Sequence, residues 1–454
     1  MAANAKPFDW TGVVDYAKRV AGEPPKTQYE LPGVTVEDHL GQPVAVVPLW
    51  HAVVTARLTI PKGDKRALHQ AQQRLDAALA ALEAVYPLHP GGILTQLAYG
   101  LSYFKQWLPA AVADRFLPRA LENGKPGAWA INDAIRFPKD PDSLVLEDND
   151  ICFHFKSDYQ QHLDDTLRAL FEPGAHTLNG IPAEALYVGD LFTVTSIRRG
   201  FAGHGMPRAM ALRLRIPGAE KIPPGAMLFM GFTSSHVHGL AQGGLPSFET
   251  VPGYTDQTPE SYFAHGTMMH LSHIVIDLDA WYSLNHQGRL HRMFNPRRTE
   301  TPEILSPSQA PATSTFQPQL EEDARAHHLV GHNAQMQFLS RVTADTTTVY
   351  GDPLPQGTVI FLRQDFDTVE NPFLFDAAAP VSPTPKAGVH FIGFAPSGQL
   401  FEKIRREMDG VDLQKKYNLP PENTGFTKFL VTTHRQNYVE PPRAHRSFPL
   451  AEML

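Results

Sequence analysis

Two stretches of the chain, one opening near residue 50 and one near residue 263, run through the same order of events. In the second, FAHGTMMHLSHIVIDLDAWYSLNHQGRLHRMFNPRR, a Gly-Thr start leads into ten strand-like residues. Asp277-Leu278-Asp279 then stops the strand, and Trp281-Tyr282 opens a helix that runs out at Pro296. In the first, the β-branched run His51–Ile60 gives way to a Pro61-Lys62-Gly63 turn and then to a long helical pattern. A chain whose halves begin alike is constrained to a duplicated α+β unit.

Each half continues the pattern. In the first, the Leu68, Leu75, Leu79 and Leu82 stripe predicts a helix over Lys65–Tyr86. Ile93–Leu101 and Ile151–Lys156 are strands flanking an inserted loop over 109–149. Asp158 is placed to cap a helix bearing Leu163, Leu167 and Leu170, and Leu191–Ile197 is the fourth strand. In the second half the strands are Thr267–Leu278, Thr358–Arg363, Gly388–Phe394 and Phe426–Thr432. Its helices are Asp279–Phe294, an inserted Leu320–Arg341, and one capped by Ser397 with Leu400, Phe401, Ile404 and Met408 on its face. The order β-α-β-β-α-β is the ferredoxin-like arrangement. The expected fold class is therefore α+β, with duplicated ferredoxin-like units and antiparallel sheets of the dimeric α+β barrel type. The expected divisions are an N-terminal extension over 1–45, a first domain over 46–225 and a second over 226–454.

At 454 residues and 42% hydrophobic content, the chain can bury two substantial cores. A net charge of −7 argues against a general nucleic-acid binder. The lone Cys152 excludes an internal disulfide and a multi-thiolate zinc site, and its place between apolar strand residues makes it a small buried hydrophobe. No apolar run is long enough to cross a membrane and no signal-peptide core opens the chain, so the cytoplasm is the default compartment. Prolines cluster in 302–318 and 371–385, which read as long irregular loops. Phosphate-loop, nucleophile-elbow and HExxH motifs are absent, and the glycine-rich 239–244 does not join a strand to a helix.

Three segments, in order, carry a resemblance. Met230-Gly231-Phe232-Thr233-Ser234-Ser235 precedes the second half, Gly266-Thr267 and its strand lead to Asp277-Leu278-Asp279-Ala280-Trp281, and Arg363 precedes Gly388-Val389-His390-Phe391. Together they resemble the dye-decolorizing peroxidase superfamily of heme proteins, from about residue 50 to about residue 435. The resemblance implies heme b, a small-molecule substrate with hydrogen peroxide as oxidant, an axial histidine, a distal arginine at Arg363 and a distal carboxylate. That carboxylate falls on Ser234, or on Ser235 if the register slips by one. A serine is no substitute for a carboxylate in general acid–base work. The expectation is thus an outlying branch with atypical or weak peroxidase activity; Asp365 or Asp367 could supply the group that position 234 lacks.

Neutral imidazole is a common axial donor to heme iron. The candidates are His327, His328 and His332. His332 is preferred because Gly331 beside it would let a porphyrin approach, although its 31-residue interval to Arg363 is longer than the family's usual one. His328 and His332 could instead both sit on an exposed helix face. His328 and His332, spaced i, i+4, could clamp a metal together; with His236, His238, His270 and His273 they leave a non-heme metal enzyme open. Arg363 could equally be a strand-end arginine paired with Asp365 or Asp367. The basic stretch from His434 to Arg446 reads first as a solvated tail, and second as a source of propionate partners in Arg435 and Arg443. Trp281 and Tyr282 read as core residues. A heme carrier without catalysis is the remaining alternative. A homo-oligomer is compatible with the sequence.

Overall fold

The computed structural model describes residues 23–38, 43–174, 178, 183–232, 245–297, 317–369 and 384–454. Ser234, Ser235, His236, His238, the glycine-rich 239–244 and most of both proline-rich stretches lie outside them. The first half supplies strands β1 (Trp50–Leu58), β2 (Leu94–Gly100), β3 (Ile151–Ser157) and β4 (Phe192–Phe201). The second supplies β5 (Thr267–Ile276), β6 in two pieces (Leu362–Arg363 and Phe366–Thr368), β7 (Gly388–Ala395) and β8 (Leu430–Glu440). Within the first sheet the order is β4-β1-β3-β2, and within the second β8-β5-β7-β6, each the ferredoxin-like order.

The two sheets are one closed ring. β6 meets β4 at Asp367 and Phe201, and β8 meets β2 at Tyr438 and Gly100. Strand two of each half thus pairs with strand four of the other, which leaves none of the eight barrel strands with a free edge. The duplicated, antiparallel α+β fold expected from the sequence is the one observed.

Alternation along the strands gives the ring two faces. The interior is partly apolar, with Val53, Ala98, Cys152, Met269, Leu271, Ile392, Phe394 and Tyr438. It also holds His51, His154, His273 and His390, all buried. His51 Nδ1 and His154 Nε2 share a hydrogen bond at 3.0 Å, Phe366 stacks on His51, and His273 lies against His390. Burial pushes the Cys152 thiol up to about 12, as suits a thiol that serves as packing.

Helices cover the outer face. α1 (Lys65–Val85) lays Leu68, Leu75, Leu79 and Leu82 on the outer residues of β1, because these positions recur every turn. Asp64 caps it, accepting from Ala67 N at 2.9 Å. α2 (Gln160–Phe171) follows β3, but Asp158 is not its cap; that carboxylate instead accepts from Leu49 N.

In the second half the expected long helices are each broken in two. Asp277 caps α3 (Leu278–Ser283), and Asn285 starts α4 (His286–Met293) afresh. α5 (Gln317–His327) ends where His328 takes φ +50°, and α6 (His332–Gln337) begins after Gly331. Ser397 caps α7 (Gly398–Asp409), as its sequence predicts. Two strands lie later in the chain than expected. β6 continues past Arg363 to Thr368, and β8 starts at Leu430 and runs to Glu440. The stretch read as a solvated tail is therefore largely a buried strand, with Arg435 1% exposed.

Candidate functional site

The site lies on the outer face of the second half, where helices meet a polar sheet surface. Register fixes its rows. Arg363 pairs with Gly393, which pairs with His270, which pairs with Asn437. One row on, Ser272 lies between Phe391 and Arg435. The pairings of Arg363 with Gly393 and of Asp367 with Val389 keep one register along β6, so Arg363, Asp365 and Asp367 form a stripe on this face.

His332 opens α6 above this surface. Gly331 precedes it for a backbone reason: a Cβ there would sit 1.9 Å from the Phe294 carbonyl oxygen. The expected reason, close approach of a porphyrin plane, is replaced by close approach of the chain itself. Gly425, at φ +58°, passes so near that a Cβ would lie 3.3 Å from His332 Cα. The His332 ring rests on Phe426 with centroids 3.8 Å apart. The residue is buried, and its Nδ1 has no hydrogen-bond partner among the described residues. Burial, with smaller contributions from the charges of Arg363 and Arg405, lowers its pKa to about 3, so the imidazole is neutral at physiological pH.

Arg363 sits 3.8 Å from Asp365, so the pairing read from the sequence is present, and its charge reaches His332. Asp367 is fully buried; burial, then the charge of Asp365, raises its pKa well above the usual carboxylate range. Arg435 grips Asp140 with both terminal nitrogens, at 2.5 and 2.9 Å, and lies over Phe137. Burial lowers the Arg435 pKa, although Asp140 pulls it the other way.

The structure separates other candidates from this group. His328 is exposed and belongs to neither helix, so it does not share a face with His332 as i, i+4 spacing would require. His327 is exposed at the end of α5. Arg443 lies beyond the end of β8, with Nε on Pro25 O and a terminal nitrogen 3.6 Å from Glu83 of α1, in the first half's helical layer. His270 and His273 face opposite sides of β5; His270 stacks on Phe401 at 3.8 Å and bonds Asn437 and Ser272. Among the described residues no three His, Cys, Asp or Glu side chains converge as a metal site.

Trp281 and Tyr282 are core residues with an added task. Trp281 Nε1 donates to Met230 O and the Tyr282 hydroxyl to Phe229 O, which pins the segment leading to residue 233. Sequence reading missed Arg405, which pairs with Asp140 and Asp409 and whose charge reaches His332. The helical periodicity that buries Phe401 and Ile404 could have pointed to it as a neighbour of the sheet.

Comparison with known proteins agrees with this architecture. A model of a family of unknown function, DUF7405, matches residues 48–442. The chain belongs to that family. No curated protein matches it. Among solved structures it is similar to two heme-bound variants of DypB from Rhodococcus jostii RHA1, at 16% and 14% identity and a TM-score of 0.50. Each alignment covers 89% of this chain and 96% of that one. The encapsulated DyP-type peroxidase from Mycobacterium smegmatis is similar at 16% identity and TM-score 0.47, with the same coverage. The DypB likeness establishes the fold: the DUF7405 chain is built as DyP-type peroxidases are. Among the described residues, no helix is long and apolar enough to cross a membrane.

Proposed function

We propose that the chain is a heme-dependent oxidoreductase of the DyP type, acting on a small-molecule substrate with hydrogen peroxide as oxidant, and atypical in carrying Ser234 where the resemblance expects a carboxylate. The observation that carries the reading is His332. A fully buried polar nitrogen normally has a partner, and one without a partner calls for an absent ligand, ion or water. His332 is also neutral, the form in which imidazole donates to a metal. These features fit a heme iron. When bound, the heme would supply electron exchange between peroxide and a reducing substrate.

The chain's own residues would do the rest. His332 would hold the iron, kept in place by Phe426 and by the close backbone passage at Gly425. Arg363 would stabilise negative charge on a bound oxygen ligand. Arg435 would meet a cofactor carboxylate only by exchanging Asp140 for it. The lone cysteine is buried in the barrel interior, which suits a heme held without thioether bonds, heme b.

Protein produced with ample heme should show a Soret band at about one heme per chain and turn over a phenolic or dye substrate with peroxide. Heme uptake without turnover would favour a carrier. A chain that takes up no heme under those conditions would contradict the reading.

A further inference from the structure

Helices leave one gap on the first half's outer face. It lies where β1 begins and β4 ends, between α2 and the helix Met206–Arg213. About 570 Å³ there is filled by no atom, part of it open to solvent. Strand register builds the floor. Trp50 pairs with Phe201 and Ala52 with Arg199, so these four side chains share one face, and the small Ala52 leaves room above it. Leu163 and Met210 add apolar walls.

The polar groups of this cleft are incompletely used. Its charged residues are Arg199, Arg213 and Asp164, two cations against one anion in a chain of net charge −7. Asp164 takes only Nη1 of Arg199, and the Arg213 side chain has no partner among the described residues. Trp107, Trp129 and Trp281 each donate their indole N–H to a protein oxygen, whereas that of Trp50 has no acceptor among the described residues. Tryptophan packed into a structure usually has its N–H paired. An open indole donor beside open guanidinium nitrogens suits a ligand that brings the acceptors.

We propose that this cleft is a second ligand site, for a small aromatic carboxylate, separate from the proposed heme site. The ring packs against Trp50, Phe201, Leu163 and Met210, and the carboxylate accepts from the open nitrogens of Arg199 and Arg213, whose forked donors match it. The surplus of one positive charge favours a monoanion. A mostly apolar pocket with a few placed polar groups is the usual form of a small-molecule site. Of its lining only Val369 comes from the second half, just past the end of β6 and six residues beyond Arg363, roughly 20 Å along an extended strand. Neither Arg363 nor His332 takes part.

Isothermal titration of the full chain with 3-phenylpropionate, with and without hemin, tests this. The wild type should bind the acid at one site per chain, equally in both forms, and should bind uncharged 3-phenylpropanamide roughly tenfold or more weakly. Arg213→Gln, an exposed change whose fold circular dichroism checks, should weaken the acid by the same order and leave the amide unaffected. Trp50→Phe keeps a ring and removes the donor, and should weaken the acid by roughly 2- to 10-fold. Acid and amide bound alike, acid binding unchanged in both variants, or no saturable binding by the wild type would overturn the proposal. Binding seen only in the hemin-loaded form would place the acid at the heme instead, and would overturn it too.

Discussion

The two halves share strand order, helix placement and even the cap after strand one, but their outer faces differ in kind. In the first half that face is Ala52, Val54, Ala56, Leu97, Tyr99, Ile151, Phe153 and Phe155, a surface made to receive a leucine-striped helix. At corresponding strands of the second half it is His270, Ser272, Arg363, Asp365, Asp367, Arg435 and Asn437. Burying polar groups costs free energy unless each is paired, so a polar face under helices is retained where it has something to bind or pair. On the proposed reading, the first half is scaffold and the second carries the chemistry. The barrel interior is shared ground, with two fully buried histidines from each half among the described residues.

That shared interior gives the largest expected effect. Burial lowers the pKa of His51 and His273 to about 3, and lowers His154 and His390 well below the usual histidine value. A histidine with a depressed folded pKa binds fewer protons folded than unfolded. Its contribution is present above the unfolded value near 6.5 and is lost as pH falls toward the folded value. Each such group costs up to about 1.4 kcal/mol per pH unit in that window, partly offset by buried carboxyls such as Asp367 and Glu440, whose raised pKa favours the fold as pH falls. Urea midpoints measured from pH 7.5 down to 5 should fall steeply, and less steeply in His390→Phe. A flat profile over that range would show that the interior cluster is hydrated or already charged.

Next in size is a contrast on strand four of each half. Arg435 and Asp140 have side chains 2% and 1% exposed, and removing one partner of so buried a pair costs up to about 3–5 kcal/mol, less what Arg405 restores by its own pairing with Asp140. Arg199 and Asp164, on the first half's outer face, are 38% and 26% exposed, and solvent screens them. Arg435→Met should therefore lower the urea midpoint sharply, while Arg199→Met should change stability by no more than about 1 kcal/mol. Equal effects would erase the distinction drawn between the faces.

The smallest effect should be the same on both sides. Asp64 and Asp277 follow strand one of their halves and each accepts from a backbone N–H at 2.9 Å. Asp64→Ala and Asp277→Ala should each cost about 1 kcal/mol. A much larger loss for Asp277→Ala would mean that the second half depends on its cap to hold Trp281 and the pinned segment.

The repeat was legible because it is written in local signals: β-branched runs, leucine spacing, the Asp277-Leu278-Asp279 stop after the strand, and the cap at Ser397. Closure of the ring was not, since it depends on pairing between residues as distant as Tyr99 and Val439. The breaks at His328 and Gly331 were hidden for a related reason. The apolar spacing on either side reads as one helix, and only the passage of Phe294 and Gly425 shows why the chain must turn there. Arg435 looked exposed because charge within a polar stretch usually is; its partner Asp140 lies nearly three hundred residues away in the inserted loop. Arg363 was visible as a strand-end arginine, and the alternation of Asp365 and Asp367 became meaningful once β6 was seen to continue through them.

Among the described residues, His154, His332 and His390 are buried with a ring nitrogen short of a partner, and of these three only His332 lies on the outer face of the second half, so the most direct test sets it against one that does not. Hemin titrated into the heme-free wild type, His332→Ala and His390→Ala, followed at the Soret band, should saturate near one equivalent in the wild type and in His390→Ala. In His332→Ala the axial spectrum should be lost. Uptake unchanged in His332→Ala, or abolished only in His390→Ala, would contradict the assignment of the second half's outer face as the heme site.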